Sequence, residues 1–230
     1  METKIAQEGG VLTEAQLQAL EQAKSQREAH GEIETQYPGY LGAQDTYYVG
    51  NIKGIGRIYQ QTFIDTYSRV AVAKVYTEKN ALIAAEMLNE QVLPFFDEQG
   101  IALLRILTDR GTAFCGKKES HAFELYLNIE DIEHTRPQAY SPQTNGICEG
   151  FHKTMKTECY DVMYRRKIYR KSDEIQRELS QWLYFYNRER PIHDDTVMEK
   201  RLGRLGKAAR VWRKKSNLRV YLSHRTVRLN

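Results

Sequence analysis

Apolar and turn-forming residues divide the first half of the chain into short, strand-like segments. Three of these lie between Gly42 and Tyr76, separated by turn residues at 51–54 and 65–68, which predicts three antiparallel strands joined by two hairpins. Apolar residues at helical spacing then predict a helix that ends near Gly100, and these are Leu82, Ala85, Leu88, Val92 and Phe96. The nearly continuous apolar run at 101–107 is short, as in a buried central strand.

The second half of the chain is predicted to be mostly helical. We expect a helix around 118–127, a short strand near Ile132, and two long helices at about 143–166 and 172–187, the last with Ser172 as its N-cap. Strands followed by alternating helices and strands are typical of a mixed sheet with helices on both faces. The sequence therefore predicts an α/β fold with three antiparallel strands plus two parallel strands, flanked by helices.

Composition is that of an ordinary globular protein. The chain has 230 residues, of which 41% are hydrophobic and 28% charged. No apolar run approaches the roughly 20 residues of a membrane span, and the first ten residues lack the order of a signal peptide. The three cysteines form no C-x-x-C pair, and no histidine pair has zinc-finger spacing. We therefore expect a cytoplasmic protein with no membrane partner and no zinc-binding module.

Charge is unevenly distributed, although the net charge is only +4. Residues 1–36 carry seven acids and three bases, whereas residues 201–230 carry ten bases and no acid. The remaining core is close to neutral. Such a core can still bind DNA, because phosphate contacts depend on local basic clusters.

Three carboxylates are candidate metal ligands. Asp109 follows the apolar run at 101–107, Glu149 begins a predicted helix behind the turn at 141–146, and Asp45 lies on the first predicted strand. Brought together, two Asp and one Glu can hold a pair of divalent ions, because Mg²⁺ prefers hard oxygen ligands. Each also has an ordinary interpretation: Asp109 as a turn residue, and Glu149 as a solvated acid near the helix dipole. Asp65 competes with Asp45, but its Asp-Thr-Tyr-Ser context favours a hairpin turn.

The segments around these acids resemble the retroviral-type integrase core of bacterial insertion-sequence transposases, the DDE recombinases. The resemblance covers roughly 37–191, and the matching segments are Asp45-Thr46-Tyr47, Ile64 to Arg69, Leu107 to Phe114, Ser141 to Glu149 and Trp182 to Pro191. It implies a ribonuclease H-like fold in which Asp45, Asp109 and Glu149 bind two Mg²⁺ or Mn²⁺ ions. The implied activity is metal-dependent DNA cleavage and strand transfer during DNA integration. The implied partners are double-stranded DNA, as transposon ends and target, and further copies of the chain.

Basic residues after Glu149 are candidate DNA contacts. Lys153 and Lys156 lie four and seven residues after Glu149, offsets at which retroviral integrases place two DNA-contacting lysines. Their ordinary alternative is a Glu–Lys pair on an exposed helix. His152 is predicted on the same face, with a structural role as its alternative. Arg165 and Arg166 belong to a basic run with interleaved tyrosines, which could follow DNA or simply charge a helix end.

Departures from the family pattern leave two other functions open. The usual Asp-Asn-Gly is Asp109-Arg110-Gly111 here, and Gly150 follows Glu149 where the family often has Arg. We expect residues 1–36 to be a helical connector left from an N-terminal DNA-reading module, and 192–230 to be a basic tail, either DNA-binding or introduced by frameshift or truncation. The alternatives to a transposase are an inactive remnant DNA-binding protein and a ribonuclease H-like nuclease without strand transfer.

Overall fold

The computed structural model describes residue 35 and residues 37–117, 120–136 and 146–190. The predicted connector at 1–36, apart from residue 35, and the predicted tail at 192–230 lie outside the described residues. Within them the elements follow in the order β1 (Gly42–Ile52), β2 (Gly56–Asp65), β3 (Ala71–Tyr76), α1 (Ala81–Met87), π1 (Leu88–Val92), α2 (Leu93–Glu98), β4 (Arg105–Thr108), α3 (Ala122–Ile129), β5 (Glu133–Thr135), α4 (Gly146–Met155), π2 (Lys156–Tyr160), α5 (Asp161–Arg166) and α6 (Ser172–Arg188).

The strands form one mixed sheet in the order β3-β2-β1-β4-β5. β1 pairs with β2, and β2 with β3, in antiparallel hairpins. β4 pairs in parallel with β1 on one side and with β5 on the other. The predicted arrangement of three antiparallel strands plus two parallel strands, flanked by helices, is confirmed.

Each face of the sheet carries its own hydrophobic core. Side chains alternate between faces along a strand, so Phe63 packs with α1, π1, α2 and α3, while Ile64 packs with α4, π2, α5 and α6. β3 lies at the edge of the sheet, and helix α6 packs on it. Asn187 accepts a hydrogen bond from the Ala71 amide at 2.9 Å and donates one to the Ala71 carbonyl at 2.8 Å. The side-chain amide of Asn187 thus satisfies the N–H and C=O groups of Ala71 at the sheet edge, which would otherwise be available for pairing with another strand.

Several predicted details were wrong. The helix predicted to end near Gly100 and the helix predicted at about 143–166 each contain a π-helical turn, π1 and π2, which hydrophobic spacing alone does not reveal. Leu82 is 67% exposed, because the core-facing side of α1 is formed by Ala84 and Ala85. The apolar run at 101–107 is extended only from Arg105. The helix predicted around 118–127 begins at Ala122.

The predicted N-cap of the last helix was also wrong. Lys171 occupies the cap position with extended backbone, and Ser172 is already helical. No side chain in the described part of the chain caps this helix, and the Glu174 carboxylate reaches back only to the Arg170 amide, which precedes the cap residue, at 3.2 Å. Within the described residues, no helix is both long and apolar enough to cross a membrane.

Candidate active site at the β1–β4 edge

Asp45 and Asp109 lie on neighbouring parallel strands. The last register pair between β1 and β4 is Gln44 with Thr108, so Asp45 is the next residue on β1 and Asp109 is the first residue after β4. Residues that follow paired positions on two parallel strands lie side by side at the same end of those strands. Both side chains are half-buried, which leaves them accessible from solvent.

The turn after β4 is built around the Asp109 side chain. The Gly111 amide donates to Asp109 Oδ1 at 2.9 Å. A Cβ atom on Gly111 would lie 2.9 Å from that same oxygen, so glycine is needed for the carboxylate to fold back over the turn. Asp109 therefore does make the turn contact that its ordinary interpretation requires, and this contact occupies Oδ1.

Glu149 lies on helix α4. It is exposed in the first turn of that helix, beside the buried Cys148. Burial raises the pKa of the Cys148 thiol well above its ordinary value, and the negative charges of Asp45, Glu149 and Asp109 raise it further. All three predicted carboxylates thus lie within electrostatic range of one buried thiol.

The fit of these residues to a metal ion rests on donor chemistry. Three carboxylates offer only hard oxygen ligands, which suit Mg²⁺ or Mn²⁺. Across the ranges 37–117, 120–136 and 146–190, no three His, Cys, Asp or Glu side chains are already close enough to hold an ion. The assignment of Asp45, Asp109 and Glu149 as metal ligands therefore stays a prediction.

His152 lies on the inner side of helix α4. It lies four residues after Cys148 and shares that inner face of α4, where its side chain is buried. Burial lowers its pKa to about 4, so the imidazole is neutral at physiological pH. A buried, neutral imidazole provides no charge for a phosphate, which favours the structural alternative, and a DNA contact by His152 stays a prediction.

A buried polar chain that the sequence did not reveal runs from π2 to Asp45. Tyr160 donates to Gln60 Oε1 at 2.5 Å, and Gln60 Nε2 donates to Thr62 Oγ1 at 2.7 Å. Thr62 Oγ1 lies 2.9 Å from His152 Nε2, and His152 Nδ1 lies 3.9 Å from Asp45 Oδ2. The available signal was the polar run Gln60-Gln61-Thr62 at the centre of β2, a strand in which these three residues are buried. These groups give His152 a structural role beside Asp45.

Asp65 has the turn role that its sequence context indicated. Its carboxylate is buried and accepts hydrogen bonds from the Gly39 amide at 2.9 Å, the Ser68 amide at 2.7 Å and the Ser68 hydroxyl at 2.5 Å. Burial raises its pKa, although these hydrogen bonds and nearby Arg69 act in the opposite direction. The prediction of hairpin-turn chemistry at Asp65 is confirmed.

The remaining candidate DNA contacts face solvent. Lys153 and Lys156 are exposed, as is Glu149, and together they form one outer stripe of α4 and the start of π2. Arg165 and Arg166 are exposed at the end of α5. Their positions leave all four basic side chains accessible, and their role as phosphate contacts stays a prediction.

Comparison with known families gives a match at residues 130–194, to the model described as the integrase core domain. The chain is 27% identical over 176 residues to the "Putative integrase ORF3" of Spiroplasma virus SpV1-C74. That match covers 73% of this chain and 48% of the viral protein. The chain thus spans about half the length of the curated relative that it matches.

Two solved structures with a similar fold come from retroviruses. One is the simian T-cell lymphotropic virus intasome in complex with the PP2A regulatory subunit B56 gamma, with a TM-score of 0.61 and 19% identity over 76% of this chain and 57% of that chain. Another is the HTLV-2 integrase catalytic core domain in complex with magnesium, described in a dimeric form. Its TM-score is 0.56, with 14% identity over 75% of this chain and 99% of that chain. The sheet and its helices therefore have the ribonuclease H-like fold of integrase catalytic cores.

Proposed function

From the match of residues 130–194 to the integrase core domain model and the fold shared with retroviral integrase catalytic cores, we propose that this chain catalyses metal-dependent cleavage and strand transfer of DNA during DNA integration. The observation that supports this most is that Asp45 and Asp109 both directly follow the last parallel register pair of β1 and β4. The effect of both aspartates and Glu149 on the Cys148 thiol adds to that support. An active site of this kind requires acids from separate elements to act at one place.

In this proposal Asp45, Asp109 and Glu149 hold two Mg²⁺ or Mn²⁺ ions. Such ions, when bound, activate the attacking water or 3′-hydroxyl and stabilise the leaving oxygen of the phosphodiester. The protein's own groups supply the ligand set and its orientation. The Gly111 amide holds Asp109 Oδ1, and neutral His152 lies beside Asp45 without adding a competing positive charge.

DNA binding is assigned to the outer stripe of α4 and to the end of α5. Lys153 and Lys156 share the exposed side of the helix with Glu149, so they would hold the phosphate backbone next to the carboxylates. Arg165 and Arg166 would extend this contact. Because the two HTLV-2 integrase core structures are described as dimeric and trimeric forms, we also propose that more than one copy of this chain acts together on DNA.

The test is a strand-transfer and disintegration assay on branched DNA with Mg²⁺ or Mn²⁺. We expect joined products that disappear with EDTA and with Asp109→Asn, and persist with Asp97→Asn. Asp97 is the matched control, since it is an exposed aspartate in α2, and α2 packs on the other face of the sheet. Metal-dependent nicking without joining would assign a nuclease, and binding without either reaction would assign a remnant DNA-binding protein.

A further inference from the structure

Three buried polar side chains form a continuous chain behind the end of β4. Thr108 Oγ1 lies 2.8 Å from His134 Nε2 on β5, and His134 Nδ1 lies 3.1 Å from Glu124 Oε1 on α3. Arg136 also donates to Glu124 Oε1. Thr108 and Glu124 are only 1% and 2% exposed, and the His134 side chain is 7% exposed. Burying polar groups costs free energy unless they are paired, so a buried chain of this kind indicates a structural or functional role.

The order carboxylate, imidazole, hydroxyl is the one that activates nucleophiles in hydrolytic enzymes. Thr108 cannot act in that way, because its side chain is enclosed and no substrate reaches the hydroxyl. Its oxygen faces inward instead, 2.8 Å from the main-chain carbonyl oxygen of Asp109. The chain of side chains therefore ends on the backbone of the residue proposed to bind metal.

Burial lowers the pKa of His134, which favours a neutral imidazole with one N–H. That N–H is used at Nδ1, facing the Glu124 carboxylate, so Nε2 is left as an acceptor for the Thr108 hydroxyl. The single hydroxyl proton then lies between Nε2 and the Asp109 carbonyl as a three-centre bond. Arg136 donates to the same oxygen, Glu124 Oε1, and balances the charge of the carboxylate.

We propose that Glu124 and His134 are positioning residues that act through Thr108 to hold Asp109 in its site geometry. This inference rests on the proposed function, in which Asp109 is a metal ligand. The other contacts to Asp109 are weaker or more local: the Cys115 thiol reaches its carbonyl oxygen at 3.5 Å, and the Gly111 amide reaches its carboxylate at 2.9 Å. Thr108 is thus the link between the Asp109 backbone and two other elements, α3 and β5.

Two substitutions at one position separate the hydroxyl from the shape of the side chain. Thr108→Val keeps the β-branched volume and removes the hydroxyl, whereas Thr108→Ser keeps the hydroxyl. His134→Asn is the second probe, because its shorter side chain can still face Glu124 but does not reach Thr108. Glu133→Gln is the matched control, since Glu133 is an exposed residue next to His134 on β5. This substitution removes the ion pair between Glu133 and Arg105 of β4 and leaves the buried chain intact.

Two measurements on the full chain report the position of Asp109. Hydrogen exchange at the Gly111 amide, followed by NMR without metal, reports the bond to Asp109 Oδ1. Titration with Mn²⁺ alone, followed by the electron paramagnetic resonance of the free ion, reports ligand affinity. We expect Thr108→Val and His134→Asn to speed Gly111 exchange and weaken Mn²⁺ binding, each by about tenfold or more. Thr108→Ser and Glu133→Gln should match the wild-type protein in both measurements.

The two readouts separate this inference from the proposed function. If folded Thr108→Val exchanges at Gly111 and binds Mn²⁺ like the wild-type protein, the positioning role is wrong. If Thr108→Val does not fold, the same result from His134→Asn overturns it. If the wild-type protein shows no Asp109-dependent Mn²⁺ binding but Thr108→Val still speeds hydrogen exchange at the Gly111 amide, the positioning role stands and the proposed metal site is wrong.

Discussion

The turns after β2 and β4 both begin with an aspartate at a strand end, yet the two carboxylates are used differently. Asp65 is fully buried and accepts three hydrogen bonds from Gly39 and Ser68. Asp109 is half-buried, and within the described residues its carboxylate accepts one hydrogen bond, from Gly111. A carboxylate with satisfied oxygens stabilises its turn, whereas one with remaining acceptor capacity can bind a ligand.

Helix α4 shows the same contrast across its two sides. His152 points inward, is neutral and lies within hydrogen-bond distance of Thr62. Glu149, Lys153 and Lys156 point outward and are exposed. Local sequence places all four residues within two turns of helix, so burial, not spacing, separates the structural side chain from the candidate functional ones.

The largest expected effect is on catalysis by Asp109→Asn. Loss of a metal-binding carboxylate should reduce strand transfer by roughly a thousandfold, since metal ions contribute several kcal/mol of transition-state stabilisation. The melting temperature should stay close to that of the wild-type protein, because the side chain is half-exposed. Strand transfer and thermal unfolding are measured on the same preparation. Wild-type activity in this variant would remove the contrast with Asp65.

A second test concerns the inner side of α4 and uses pH. The pKa of His152 is about 4 in the folded protein and 6.5 in the unfolded chain, so the unfolded chain binds the proton more tightly. The stabilising contribution is present above pH 6.5 and is lost as pH falls to about 4, by roughly 3 kcal/mol. Urea unfolding of the wild-type protein and of His152→Gln across this pH range isolates the contribution of His152 to the free energy of unfolding. Equal pH dependence in both would contradict burial of a neutral imidazole.

Asp65→Asn should affect stability more than chemistry. An amide at this position directs an N–H group at the donors of Gly39 or Ser68, so a buried contact is lost at a cost of about 2 kcal/mol. For a chain of this size the melting temperature should fall by about 4–8 °C. The folded fraction should retain strand transfer, in contrast to Asp109→Asn. An Asp65→Asn protein of normal stability but without activity would instead assign Asp65 to the active site.

The smallest expected effect is at Lys153 and Lys156. Replacing both with Ala should weaken binding to all DNA sequences, and the slope of log affinity against log salt should fall by about one unit for each lost phosphate contact. Lys79→Ala is the control, since this exposed lysine lies just before α1, and α1 packs on the opposite face of the sheet. An unchanged slope in the double variant would show that neither lysine contacts phosphate, and both would then be ordinary exposed residues of the helix.

Much of the fold was predictable because its signals are local. Turn residues at 51–54 and 65–68 separated β1, β2 and β3, and the strand order placed Asp45 next to the strand that leads to Asp109. The π turns were not predictable, since an extra residue in a helix is stabilised by packing on the sheet and not by composition.

The buried polar groups mark the limit of sequence reasoning about the site. His152 follows the pattern of a basic outer face, and only its contact with Thr62, ninety residues away along the chain, shows that it lies inside. The Glu124–His134–Thr108 chain likewise joins residues from three elements. Such partners depend on tertiary contacts, whereas candidate ligands such as Asp109 were indicated by the residues that flank them.

The central claim is that Asp45, Asp109 and Glu149 form one divalent metal site. A crystal structure of the full chain with Mn²⁺, examined by anomalous scattering, tests it most directly. We predict Mn²⁺ peaks about 2 Å from oxygen atoms of all three carboxylates, with Asp65 remaining in its turn. Mn²⁺ bound elsewhere, or any of the three carboxylates more than about 10 Å from the other two, would contradict the account, because ligands at about 2 Å from shared ions cannot be so far apart.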